Sequence, residues 1–330
     1  MAKEFNPHSQ LERYTGKNFI VWVRRNIIAV ILPALLLGCQ RFFYVLARLI
    51  SHKVFHSPSD FIIVALPWER AIKLTNFTSL FIIPYYLSYL YWIVMPFVVW
   101  ATMGKRVFYN MCAAILVVEL FSFIVWCFLP TRQDPEIYHQ AWNQIFGSTT
   151  STTVASSHTG FWKFTYTLCG QVYGGDLPDN LNPSGHNFLT FIIFCAFAKP
   201  NDKHKMRWGL FSFSLAYYLL VATSTILVRQ HALIDVIFAT SLGLAGFHFQ
   251  KLTKFGHGMQ AINEGVNNTI HNCRVEFKKS PKIAITYIAT TILFSAFIGF
   301  EIYFAFISLF TGDPFKHLWD KQWNYLDYFH

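Results

Sequence analysis

The chain has 330 residues, of which 54% are hydrophobic and 18% aromatic, while only 13% are charged. Soluble domains are about a quarter charged, and several apolar runs here approach the ~20 residues that cross a bilayer. This composition excludes an ordinary soluble domain and predicts an all-α, polytopic membrane helix bundle. The net charge of +10 comes mostly from Lys and Arg that flank the apolar runs, which indicates membrane topology and not nucleic-acid binding.

Six apolar runs form the predicted core, residues 26–248. The predicted spans are 26–49, 79–103, 107–129, 185–198, 208–227 and 232–248. A basic leader (1–25) precedes the core, and a basic amphipathic segment (249–282) follows it. We expect a seventh span, 283–310, within the additional C-terminal segment, 283–330.

Two connections in this pattern bear on function. The fourth span is short for a bilayer, so its start is expected to lie below the membrane surface. The longest polar stretch, residues 130–182, is interpreted as a loop that delivers the chain to this span. A connection of that length in a compact membrane protein indicates a functional role.

Lys and Arg are unevenly distributed between alternate connections. Seventeen lie on the side of the leader and eight on the other, when Arg41 and Arg48 within the first span are left out. The positive-inside rule therefore predicts a cytosolic N-terminus. It places the long polar stretch, His186 and His231 together on the extracytoplasmic face.

Two histidines stand where apolar runs begin. His186 ends the segment 183–186, Pro-Ser-Gly-His, and His231 opens a later run with Asp235 four residues on. On a helix this spacing puts His231 and Asp235 on one face, where a carboxylate can accept the Nδ1–H and leave Nε2 as a nucleophile. His186 offers a second imidazole that can protonate a leaving oxygen.

Other residues in these segments suit an anion. Ser184 and Gly185 lie at a helix start, where peptide N–H groups favour negative charge and glycine allows close approach. Arg132 and Arg229 are expected to bind phosphate oxygens. The six cysteines include no CxxC pair, and we expect neither a metal site nor another cofactor. Together these residues point to phosphoryl transfer without metal.

At this point the chain resembles the type 2 phosphatidic acid phosphatase superfamily of integral membrane lipid phosphatases. The family pattern is Lys-x6-Arg-Pro, then Pro-Ser-Gly-His, then Ser-Arg-x5-His-x3-Asp. Residues 183–186 match the second element in full. The third element is matched by Ser224, His231 and Asp235, whereas Thr225 stands at its Arg position.

The resemblance covers about residues 79–248 and departs from the family at two arginines. Arg229 stands two residues before the third-element histidine instead of six. Arg132 follows the third span as the first element requires, but Val125 stands where that element has its Lys. These departures weaken the phosphate-binding role carried over to both arginines.

The resemblance implies a role for each matched residue and a class of substrate. His231 would be the nucleophile that forms a phosphohistidine, Asp235 would orient it, and His186 would be the acid. The substrate would be a lipid phosphomonoester or diphosphate, and the expected partners are this lipid and the surrounding membrane lipids.

Two alternatives stay open. A lipid headgroup phosphotransferase, similar to sphingolipid synthases, would use the same His/His/Asp set and pass the group to a lipid hydroxyl. A non-catalytic lipid transporter or binder would retain the histidines for binding, and Glu119 and Glu301 within apolar runs give it some support. Composition and motifs identify neither the lipid, nor the membrane, nor the oligomeric state.

Overall fold

The computed structural model describes residues 27–55, 60–146, 158–175, 179, 182–198, 208–253, 255–261 and 264–265. The predicted basic leader, the seventh span and most of the amphipathic segment lie outside the described residues. The described part forms α-helices and one two-stranded parallel sheet, β1 (Ile62–Ile63) with β2 (Thr131–Arg132). The all-α prediction is confirmed.

The helices follow the apolar runs of the sequence. They are α1 Ile27–Val54, α2 Asn76–Ser79, α3 Ile82–Met103, α4 Lys105–Phe128, α5 Pro135–Phe146, α6 Gly160–Gly175, α7 Gly185–Ala198, α8 Trp208–Leu227 and α9 Leu233–Thr253. The six predicted core spans correspond to α1, α3, α4, α7, α8 and α9. The described bounds of α7 and α8 coincide with the predicted spans.

Four segments are long and apolar enough to cross a membrane. They are Ala29–Val54, Asn76–Met103, Lys105–Phe128 and Trp208–Leu227. The helical segments Gly185–Ala198 and Leu233–Phe249 are apolar but shorter. Large apolar side chains such as Leu90, Ile124 and Leu219 are exposed on the outer faces of these helices. A lipid environment would cover such a surface, so the described helices are those of a membrane protein.

The short helix α7 lies at the centre of the bundle and packs against α3, α4, α8 and α9. Beyond Thr190 its side chains are all apolar, and Phe188, Ile192 and Phe197 are buried. A helix that is apolar all round is buried in a core or spans a membrane, and here neighbouring helices surround it. Its 14 residues rise only about 21 Å, which is less than a bilayer core.

The connection between α3 and α4 is a single residue, Gly104. Its φ is +88°, a conformation that residues with a Cβ rarely adopt. Its N–H donates to the carbonyl of Trp100 and closes the last turn of α3. This tight turn sets α3 and α4 side by side as antiparallel neighbours.

The long polar stretch differs from the expected loop, because it contains α5 and α6. Pro135 is the first residue of α5, and the Asp134 carboxylate accepts from the Glu136 N–H at 2.9 Å, so the start of α5 is capped. Tyr138 of α5 stacks on Tyr173 of α6 with ring centroids 5.4 Å apart. Residues 147–157 between them lie outside the described part. The two helices form a cap over the bundle end at which α4 and α8 end and α3, α7 and α9 begin.

Asp179 follows the cap in the chain, is fully buried and contacts α1. Its Oδ1 accepts from Arg48 Nε at 2.8 Å and lies 2.7 Å from Arg48 Nη2, and its Oδ2 lies 2.7 Å from His52 Nε2. The main chain of Asp179 also bridges that of Arg132. Arg48 therefore faces the protein interior.

Replacing this carboxylate should destabilise the fold. Asp179→Ala leaves Arg48 and His52 buried without their carboxylate, and breaking such a pair costs about 3–5 kcal/mol. We expect a clear fall in the thermal denaturation midpoint of the purified protein in detergent. The matched control is Glu136→Gln, which alters an exposed ion pair with Arg70 and should change stability by about 1 kcal/mol or less. Equal midpoints for the two variants would contradict a stabilising role for the contact of Asp179 with Arg48 and His52.

Candidate functional site

The structure brings the two motif histidines together under the cap. His186 lies in the first turn of α7, and His231 lies just before α9. Their ring centroids are 6.4 Å apart. His186 contacts Ser88 and Tyr89 in the second turn of α3, so α7 begins level with that turn of its neighbour.

Asp235 lies beside His231 but is held by its own helix. The distance from His231 Nδ1 to Asp235 Oδ2 is 3.6 Å, which is contact between ionic groups and too long for the expected hydrogen bond. The same Oδ2 accepts from the Ala232 N–H at 2.8 Å, as a carboxylate at the third helical position often does. Asp235 therefore caps α9 and contacts the imidazole without a hydrogen bond.

His186 is enclosed by one face of α3. Tyr85 stacks on its ring at 4.1 Å, and Trp92 lies at 4.9 Å. Its Nδ1 lies 3.0 Å from Ser88 Oγ, and its Nε2 lies 3.4 Å from the Tyr89 hydroxyl. Sequence reasoning missed these four residues. Their spacing of three and four along an apolar run was the available signal, because it puts them on one helix face.

Ser184 and Gly185 lie at the start of α7 as expected, and both have packing roles. The Ser184 carbonyl accepts from the N–H groups of Asn187 and Phe188, so Ser184 caps the helix. Asn187 Nδ2 donates to Ser184 Oγ at 2.9 Å and to Thr225 Oγ1 at 3.1 Å, which joins α7 to α8. A Cβ at Gly185 would lie 2.8 Å from Gln40 Nε2, so the Gln40 amide of α1 contacts the helix start at this glycine.

Arg229 ends α8 in an unusual conformation. The Arg229 N–H donates to the Ile226 carbonyl, and the Gln230 N–H donates to the Thr225 carbonyl. This pair of bonds is a Schellman motif, in which the left-handed residue is usually glycine. Here that residue is Arg229, with φ +60°. A residue with a Cβ costs about 1–2 kcal/mol in this conformation, and such strain is typical of functional sites.

The Arg229 side chain is buried and lines the same cavity as His231. Its Nη2 donates to Gln140 Oε1 at 3.3 Å, while Nε and Nη1 have no hydrogen-bond partner among the described residues. Burial lowers the pKa of this guanidinium, which nevertheless stays charged at neutral pH. The charges of Asp134 and Glu136 act on this guanidinium, and its two unsatisfied nitrogens can still donate to a further acceptor such as an anion.

Arg229 and His231 line one small cavity, with room for about one water molecule, together with Glu69 and Gln133. Glu69 brings a carboxylate to this cavity, but its oxygens are occupied by main-chain donors. Oε2 accepts from the Leu66 N–H at 2.6 Å, and Oε1 accepts from the Leu233 N–H at 2.7 Å. Glu69 therefore caps α9 from a distant segment, a role that sequence reasoning did not find.

Arg132 lies in β2, in a segment that reaches both motif regions. Thr131 Oγ1 accepts from the Asn182 N–H at 2.9 Å, close to Ser184 in the chain. Gln133 Nε2 donates to the Arg229 carbonyl at 3.2 Å. The side chain of Arg132 is buried. Segments 131–133, 182–186 and 229–231 thus converge at one end of the bundle.

Comparisons with protein-family models, with curated proteins and with solved structures find no match to this chain. Within the described ranges, no group of three or more His, Cys, Asp or Glu side chains is placed to hold a metal ion. The chemistry of the site therefore has to be argued from its own geometry.

One substitution, Arg229→Gly, tests both the strain and the charge of Arg229, each by its own measurement. Arg229→Gly relieves the left-handed conformation and removes a buried charge, so we expect its denaturation midpoint in detergent to equal or exceed that of the wild type. We also expect inorganic phosphate to raise the midpoint of the wild type but not that of the variant.

The control is Arg106→Gln, since Arg106 is an exposed arginine at the opposite end of the bundle and does not line the cavity. Phosphate should still stabilise this variant. Equal stabilisation of Arg229→Gly and the wild type by phosphate would show that Arg229 is not the anion site.

Proposed function

We propose that the protein is a membrane lipid phosphatase that works without a metal ion. It would hydrolyse a lipid phosphomonoester or diphosphate through a phosphohistidine at His231. One observation carries this proposal. Two histidines lie with ring centroids 6.4 Å apart at the starts of two apolar helices, and one of them, His231, lines a cavity together with Arg229, which is buried and has two nitrogens without a hydrogen-bond partner among the described residues.

The residues divide the reaction into two steps. In the first, His231 Nε2 attacks phosphorus, the bond from phosphorus to the lipid oxygen breaks, and His186 gives its proton to that oxygen. In the second, water attacks the phosphohistidine, His186 takes a proton from the water, and phosphate leaves. Asp235 stabilises the positive charge on the His231 ring, and Arg229 and Arg132 are proposed to hold the phosphate oxygens.

The proposed substrate is a lipid because the site lies among apolar helices. The exposed faces of α3 and α8 carry side chains such as Leu87, Leu90 and Leu219, against which acyl or isoprenyl chains would pack. The substrate would reach the site from the extracytoplasmic side. Membrane lipids are then the expected partners, without a nucleic acid.

Removal of either histidine should abolish phosphate release. The assay uses purified protein in detergent with EDTA, and phosphatidic acid or an isoprenyl diphosphate as substrate. Activity should fall by at least about a hundredfold in His231→Ala and in His186→Ala, since each removes a chemical group from the reaction. The matched control is His139→Ala, because His139 is exposed on α5 and should leave the rate unchanged.

Vanadate and an added acceptor lipid distinguish this mechanism from its alternatives. Vanadate should inhibit the wild type, because it resembles the phosphoryl group in the transition state. Release that persists in both histidine variants would contradict the mechanism. No release in water, but transfer from a phospholipid to an added lipid hydroxyl, would identify the phosphotransferase instead.

The proposed sidedness can be tested in a variant without native cysteines. A membrane-impermeant thiol reagent added to intact cells should label Lys163→Cys, which lies exposed on α6 of the cap. Arg106→Cys, exposed at the opposite end of the bundle, should be labelled only after the membrane is opened. The reverse pattern would place the site in the cytosol.

A further inference from the structure

We infer that Ser88 and Tyr89 hold His186 as the tautomer with the proton on Nδ1, so that Nε2 is the nitrogen that exchanges protons with the substrate. This inference rests on the proposed function and adds two positioning residues to it. Neither residue belongs to a motif in the sequence. Both lie on the face of α3 that encloses the His186 ring.

The assignment begins with the single proton of the Ser88 hydroxyl. Ser88 Oγ lies 2.6 Å from the carbonyl oxygen of Tyr85, and a carbonyl can only accept. A proton must lie between these two oxygens, because two acceptors at that distance would repel each other. The Ser88 proton is therefore committed, and Ser88 is fully buried. Toward His186 Nδ1, at 3.0 Å, Ser88 Oγ can only accept.

The other nitrogen follows from this. A neutral imidazole has one N–H and one lone pair, so Nδ1–H leaves the lone pair on Nε2. The Tyr89 hydroxyl lies 3.4 Å from Nε2 and can donate to it. In the resulting series of hydrogen bonds, the Tyr89 hydroxyl donates to His186 Nε2 and His186 Nδ1–H donates to Ser88 Oγ. The Ser88 hydroxyl donates to the Tyr85 carbonyl.

The ring is also fixed against reorientation. Tyr85 stacks on it with an interplanar angle of 29°. One turn along each helix, Trp92 Nε1 donates to Thr190 Oγ1 at 3.0 Å, and Thr190 Oγ1 donates to the His186 carbonyl at 2.7 Å. These bonds join α3 to α7 at the level of His186, so a change of tautomer would not be accommodated by turning the ring.

The tautomer suits both steps of the reaction. When His186 is charged, its Nε2 proton passes to the lipid oxygen. Its Nδ1 proton stays on the ring and is donated in a hydrogen bond to Ser88 Oγ. The neutral product is the tautomer that Ser88 stabilises, and its Nε2 lone pair then accepts the proton of the attacking water. The leaving oxygen is therefore placed beside the Tyr89 hydroxyl, which can donate a hydrogen bond to it.

The test uses the dependence of the rate on the leaving group. Ser88→Ala removes the acceptor for Nδ1–H, so we expect phosphatidic acid hydrolysis to fall about tenfold to a hundredfold, within the range that general acid catalysis supplies. p-Nitrophenyl phosphate needs little protonation of its leaving oxygen, and its hydrolysis should fall by less than about threefold. Tyr89→Phe should show the same selectivity with a smaller loss.

The matched control is Ser122→Ala. Ser122 is also fully buried and donates at 2.7 Å to the Val118 carbonyl of its own helix, α4. It should leave both rates unchanged. Equal losses on the two substrates in Ser88→Ala would indicate a merely structural role and would overturn the inference.

A second readout does not depend on activity. ¹⁵N NMR of histidine-labelled full-length protein in detergent, with His186 identified by its loss in His186→Ala, should report a protonated Nδ1 and a lone pair on Nε2. Ser88→Ala should shift this ring toward the other tautomer. The opposite tautomer in the wild type would overturn the inference even in an active enzyme. Unchanged phosphate release in His231→Ala would instead overturn the proposed function.

Discussion

The buried carboxylate of Asp179 is the interaction on which the arrangement of the site depends. It forms a buried ion pair with Arg48 and lies 2.7 Å from His52 Nε2, both on α1, while its main chain bridges that of Arg132. Either charge of the Arg48–Asp179 pair would be costly inside the protein without the other. The contact therefore fixes the chain between the cap and α7, and with it the depth at which His186 enters the bundle.

Arg229, at the end of α8, has an energetically unfavourable conformation and a buried charge. The position after α8 suits glycine, yet it holds Arg229 in a left-handed conformation, with two of its donor nitrogens unsatisfied within the described residues. The main chain is well supported, since the Arg229 carbonyl accepts from Tyr173 and Gln133. Strain and an unsatisfied buried charge at the same residue are understandable if an anion completes the site.

The face of α3 that encloses His186 links packing to chemistry. The same side chains that join α3 to α7 also surround both ring nitrogens of His186. Ser88 and Tyr89 are adjacent in sequence but meet different nitrogens, because α7 begins level with the second turn of α3. A helix of full bilayer length in place of α7 would bring its first turn to the surface, where Ser88 could not reach it.

Much of the fold could be predicted because its signals are local. Apolar runs bounded by polar connections identified the six core helices, and for α7 and α8 the predicted bounds are those of the structure. The spacing of His231 and Asp235 predicted their closeness, although the hydrogen bond was replaced by a 3.6 Å contact, because the carboxylate also caps the helix. The helices α5 and α6 were missed within a stretch of Gly, Ser, Thr and Pro, even though α5 begins with a capped Pro-Glu turn.

The sequence by itself determined the helix bundle, its apolar spans and the two histidines, since hydropathy and helical spacing depend only on neighbours along the chain. Only the tertiary structure decided which side chains surround those histidines. Ser88 and His186 are 98 residues apart, and Arg48 and Asp179 are 131 apart. Such pairs depend on how whole helices pack, and no local sequence pattern predicts them.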